Sequence, residues 1–134
     1  MIKNIKNEIL VPISVGELID KITILKIKKK KILNKNKSKN INKELNFLEK
    51  IYRSNFKHNK KLKLYEKQLV KINKTLWEIE DQIRNLESKK DFNKTFIKLA
   101  RSVYISNDKR SHIKKKINLL TQSDVIEEKS YKSY

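Results

Sequence analysis

LKLYEKQLVKINKTLWEIEDQIRNL, residues 62–86, decides the fold. Its apolar side chains fall at Leu62, Tyr65, Leu69, Ile72, Leu76, Ile79, Ile83 and Leu86, in alternating steps of three and four. Those steps keep every one of them on one stripe of an α-helix, whereas a half-buried strand would alternate at two. The stripe is a heptad seam sustained over more than three heptads. It predicts a long helix over 60–88, packed antiparallel against the first helix of the chain or against a second copy.

Toward the N-terminus, Ser14-Val15-Gly16-Glu17 has the capping-box pattern, serine followed three residues later by glutamate. Ile13 and Leu18 flank it as a hydrophobic staple. A helix follows with Leu18, Ile22, Leu25 and Ile32 on one face, and Pro12 holds residues 1–13 as an extended arm. The polar stretch 34–40 reads as a break. A second helix is expected over 41–53, with Ile41, Leu45, Leu48 and Ile51 or Tyr52 inward, then a short basic loop with Asn55, His58 and Asn59. Beyond the seam, Asp91 is the expected N-cap of a fourth helix carrying Phe92, Phe96, Leu99, Ala100 and Val103. Asn107-Asp108 marks a further break, after which a fifth helix carries Ile113, Ile117 and Leu120. Residues 121–134 have no helical period and form a tail that Val125, Ile126, Tyr131 and Tyr134 could dock.

Composition agrees. The 134 residues include one glycine and one proline, too few for the tight turns of a sandwich or barrel. The expected fold is an all-α small helical bundle, one domain over 1–134. A long antiparallel helical hairpin from the first and third helices would carry shorter C-terminal helices at one end. Without cysteine there is neither a disulfide nor a thiolate metal site, and the two histidines, His58 and His112, share no ligand pattern. No apolar run approaches the roughly 18 residues that span a bilayer. The N-terminal apolar run is too short and broken for a signal peptide, so a cytoplasmic protein is expected.

The net charge of +19 invites a nucleic-acid reading, but Lys, Asn and Ile are also the residues that AT-rich codons supply. The charge is uneven: residues 1–74 hold 21 basic and 6 acidic side chains, residues 75–134 hold 13 and 9. KIKKKKILNKNKSK, residues 26–39, is the extreme and attracts any polyanion at low salt. Arginine is distributed differently. Only Arg53, Arg84, Arg101 and Arg110 occur, and three of them lie in 76–110. A guanidinium is a rigid planar fork that grips carboxylate or phosphate bidentately, and a lysine is a mobile point charge.

Beside the heptad seam runs a second stripe, Asn73, Trp77, Glu80, Arg84 and Glu87. As ordinary surface it is a salt-bridge ladder worth a few tenths of a kcal/mol per pair. As a functional face it is a groove wall, in which carboxylates orient Arg84 beside an indole. The expected fifth helix has a stripe of its own, Asn107, Arg110, Lys114 and Asn118, starting at a helix N-terminus that favours an anion. Arg101, Tyr104 and Lys109 are near in sequence. If the two stripes face each other they form a phosphate- or carboxylate-binding pocket. Glu17 with Asp20, and Glu78 with Asp81, have E-x-x-D spacing, the pattern by which helical bundles hold Mg²⁺, but Glu17 is already the capping residue. No metal or cofactor is expected, and no P-loop, G-x-G-x-x-G, G-x-S-x-G or H-E-x-x-H occurs.

At ISVGELIDKITIL (13–25), LWEIEDQIR (76–84), FIKLARSVYISNDKR (96–110) and IEEKSY (126–131) the chain resembles the bacterial domain-of-unknown-function family 6165. The resemblance implies a glycan context, because similar proteins occur near glycosyltransferase-like proteins of surface-polysaccharide pathways. It implies no reaction and no catalytic residue. The expected function is binding of a small anionic ligand, phosphate or nucleotide sugar, beside a glycosyltransferase partner. Arg84, Arg101, Arg110 and Lys114 would hold the anion, Trp77 and Tyr104 would stack on a base or sugar, and Glu80 and Asn107 would orient those groups. Were there catalysis, Glu80 or Asp108 would be the acid or base. The alternatives are a non-catalytic adaptor that forms homo-oligomers through the Leu62–Leu86 seam, and, less favoured, a nucleic-acid binder using residues 26–74.

Overall fold

Each helix begins at a side chain that closes its first turn. Ser14 Oγ accepts from the Glu17 amide and opens α1, Val15–Lys31. Asn34 Oδ1 accepts from Lys37 and opens α2, Lys35–Asn55. Asn59 accepts from Leu62 and opens α3, Lys60–Ser88. Asn93 accepts from Phe96 and opens α4, Lys94–Leu120. These caps satisfy amides that have no partner within the helix. The computed structural model describes residues 7–56 and 59–134. Residues 1–6 of the expected arm and His58 of the expected loop lie outside them. Among the described residues there are four helices and no strand, an all-α fold, and no helix is long and apolar enough to cross a membrane.

The core has two layers that share α1. Leu18, Ile22 and Leu25 pack on Ile41 and Leu45 of α2. Ile19, on the other face of α1, packs with Leu62 and Leu69 of α3 and Ile113 and Ile117 of α4. The heptad seam lies inward as its period requires: Leu62, Leu69 and Ile79 are buried and the other members half-buried. Its buried members Leu62 and Leu69 are covered within the chain by α1 and α4.

Several expectations are corrected here. Gly16 meets Asn118 and Asp20 meets Arg110, so α1 and α4 run antiparallel. The short 89–93 connection makes α3 and α4 antiparallel as well. Consequently α1 and α3 run the same way, and the long hairpin is α3 with α4, the most extensive contact in the molecule. Instead of two short C-terminal helices there is one, unbroken at Asn107-Asp108. Asn and Asp break helices by bonding nearby backbone. Here both are otherwise occupied: Asn107 accepts from Arg110 and Asp108 from the Tyr134 hydroxyl. The polar stretch 34–40 opens α2; its mostly exposed side chains show no apolar period to announce it. Asp91 caps nothing. Its amide closes α3 by bonding Leu86 O, with Lys90 in the left-handed region at φ 54°. The same Schellman closure ends α4, where Ser123 bonds Asn118 O and Gln122 has φ 54°.

Candidate functional site

The site grows from a place where two helices come unusually close. A Cβ on Gly16 would lie 2.6 Å from the Lys114 carbonyl oxygen and 2.9 Å from Asn118 Oδ1. Only glycine lets the start of α1 approach α4 this way. The approach uses up the first amides of α1. Val15 N–H donates to Ser123 Oγ at 3.1 Å, Gly16 N–H to Asn118 Oδ1 at 2.6 Å, and Glu17 N–H to Ser14 Oγ at 3.1 Å. The capping box is therefore half-formed, because the Glu17 carboxylate turns to Lys114 at 2.7 Å.

One turn further along, the E-x-x-D pair of α1 meets the R-x-x-x-K pair of α4. Asp20, only 1 % exposed, receives Arg110 through Nε at 3.1 Å and Nη2 at 2.7 Å. Its Oδ1 also accepts from Asn73 Nδ2 of α3 at 2.8 Å, and that same group donates to Thr23 Oγ1. Lys114 is ringed by Glu17, by Glu127 of the tail at 3.3 Å, and by Asp20 at 3.8 Å. No buried side-chain nitrogen or oxygen among the described residues lacks a hydrogen-bond partner. Burial alone would raise the Glu17 carboxyl, but the Lys114 hydrogen bond and the charges of Lys114, Lys21 and Arg110 outweigh it and hold it below its ordinary range. Burial likewise opposes the Lys114 charge, and Glu17, Asp20 and Glu127 overcome it and raise its pKa. The acidic pair considered for Mg²⁺ is thus neutralised by cations of α4. Glu78 and Asp81 stand apart and exposed.

Two clefts open on either side of Asn107 and Arg110. The first, about 570 Å³, is walled by α4 through Val103, Tyr104, Asn107, Asp108, Arg110, Ser111 and Lys114, and by the tail through Lys129, Tyr131, Lys132 and Tyr134. Tyr134 packs edge-on against Tyr104 at 4.9 Å, and its hydroxyl donates to Asp108 at 2.6 Å, which pins the tail. The second, about 460 Å³, is lined by Ile24 and Ile27 of α1, by Asn73, Leu76, Trp77, Glu80, Asp81 and Arg84 of α3, and by Val103, Asn107 and Arg110 of α4.

Of the residues expected to act together, Trp77, Glu80, Arg84, Asn107 and Arg110 share the second cleft. Tyr104, Asn107, Arg110 and Lys114 share the first. Arg101 joins neither. In one continuous helix the nine residues to Arg110 turn it roughly 180° away, and it points to solvent. The helix N-terminus expected at Asn107 does not exist, so no dipole serves an anion there. Lys114 already has three carboxylates around it, and Arg110 has spent one edge of its fork on Asp20. Arg84 is 80 % exposed and bonds Glu80 at 3.0 Å. Asp20, considered in the sequence as half of an E-x-x-D pair for Mg²⁺, anchors the cluster by receiving Arg110 and Asn73 instead. Two residues, both in the tail, escaped the sequence reading. Lys129 and Lys132 add charge to the first cleft, Lys129 with Glu127 3.7 Å away, and the apolar side chains of a non-periodic tail signal that it can dock but not which helix it meets.

Over residues 9–134 the sequence matches the family of unknown function DUF6165, and the chain belongs to that family. No curated protein matches it. No solved structure matches it either.

Proposed function

We propose that the double cleft binds a small anionic ligand that carries a flat ring or a sugar, with a nucleotide sugar as the first class to test. The observation that supports this most is that Trp77, Glu80 and Arg84 of α3 line one space with Asn107 and Arg110 of α4. The latter two lead on to Tyr104, Lys129 and Lys132 in the next. The charges divide by role. Arg110 and Lys114 are neutralised by carboxylates of the chain and set the shape. Arg84, Lys129 and Lys132 stand at the rims, where an anion can reach them without displacing a buried partner. Aromatic faces at Trp77 and Tyr104 suit a base or a sugar ring. A role beside glycosyltransferases in the cytoplasm follows from the family resemblance and belongs to the same proposal.

Trp77 is the single tryptophan, so its emission reports on the second cleft directly. Titration with nucleotide sugars, nucleotides and inorganic phosphate is expected to change that emission and raise the melting temperature for at least one class. Arg84→Ala should weaken the response about tenfold, consistent with loss of a charge-assisted contact. Arg101→Ala, on the opposite face of α4, should leave it unchanged. A panel in which nothing moves either signal overturns the proposal.

A further inference from the structure

The turn between α1 and α2 has a composition that neither folding nor the clefts explain. From Lys28 to Lys39 there are seven lysines and no acid. None has a carboxylate within ion-pair distance among the described residues, whereas Lys26 just before them has two. Lysines in the last turn of α1 suit that helix's dipole. Those at the start of α2 do not: Lys35 and Lys37 stand in a first turn where acids are favoured, and that turn contains no acid. In their midst Leu33 is 85 % exposed. It cannot fold inward, because the turn is fixed on both sides. Asn34 Oδ1 accepts from the Lys37 amide, and Ser38 Oγ donates to Ile32 O. The result is a rigid basic knob with one apolar side chain at its apex.

We infer that this knob docks the protein onto an anionic lipid surface, its lysines among the headgroups and Leu33 entering the acyl boundary. Charge complementarity selects a polyanion. The held-out leucine selects a membrane over a nucleic acid, since a phosphodiester backbone offers an aliphatic side chain nothing to enter. With no helix among the described residues able to cross a bilayer, attachment would be peripheral and reversible.

Co-sedimentation of the whole protein with vesicles tests this at about 150 mM salt, where weak polyanion attraction is largely screened. Binding is expected to vesicles of phosphatidylglycerol and phosphatidylcholine and to be absent with phosphatidylcholine alone. The Lys29→Gln, Lys30→Gln, Lys31→Gln triple variant should bind on the order of a hundredfold more weakly. Leu33→Ser should lose roughly tenfold. All these side chains are exposed, and unchanged circular dichroism confirms that the variants fold. The inference is overturned by failure to bind the anionic vesicles. It is equally overturned by a Leu33→Ser variant that binds as well as the native chain, which would reduce the knob to unspecific charge. A duplex oligonucleotide bound at this salt through the same lysines, with vesicles ignored, would assign the surface to nucleic acid instead.

Discussion

Gly16 is the residue on which most depends, because it is the one position where α1 and α4 meet backbone to side chain without a Cβ between them. Its neighbours are a carbonyl oxygen and an amide that already bonds it, and neither swings aside cheaply. Gly16→Ala is therefore expected to destabilise the fold by about 2 kcal/mol, despite alanine's better helix propensity. Urea unfolding measures this, and a neutral or stabilising result would show that α4 can retreat. The same neighbourhood marks how far single residues could be read from sequence. Ser14 was legible as a cap because its partner amide is three residues away. The Asp20–Arg110 pair spans 90 residues, and nothing local in either segment specifies the other. Burying Asp20 demands a cation, but sequence alone leaves many lysines and arginines to choose from.

Among the elements, the helix ends matter more than the helix bodies. In a chain with a single glycine, both Schellman closures fall on side-chain-bearing residues, Lys90 and Gln122, held at φ 54°. A left-handed L-residue costs on the order of 1 kcal/mol relative to glycine. Lys90→Gly should accordingly raise the unfolding midpoint, by up to about 1 kcal/mol in stability. Lys89→Gly, one position earlier in a right-handed conformation, should lower it. Element boundaries were legible where an apolar period begins or ends, as for α3. They were lost where polar residues continue a helix, as over 35–40, or where a mid-helix Asn or Asp finds a distant partner, as at 107–108. That second failure moved the candidate site most. It made two helices of α4 and allowed Arg101 to be imagined beside Arg110.

For the whole molecule, the joint between α1, α4 and the tail sets how stability follows pH. The folded-state pKa of Glu17 is depressed, so its contribution is complete above the ordinary carboxyl value of 4.5 and is lost as pH falls through the lower folded value. Lys114 is raised, so its contribution is complete below 10.5 and is lost only as pH rises through its folded value. Stability should therefore be level between these limits and fall on acidification. Glu17→Gln should flatten the acid limb; urea midpoints from about pH 3 to 7 decide this. The all-α class was legible because helical periods and the scarcity of glycine and proline are written along the chain. The pairing of helices was not, since α1 offers apolar residues on two faces and only the third dimension says which meets α3. The first amides of α1 are closed by Asn118 and Ser123, more than a hundred positions later in the chain. During synthesis those amides leave the ribosome long before their acceptors exist. The first helix must wait, solvated and unfinished, until a segment made more than a hundred residues later completes it.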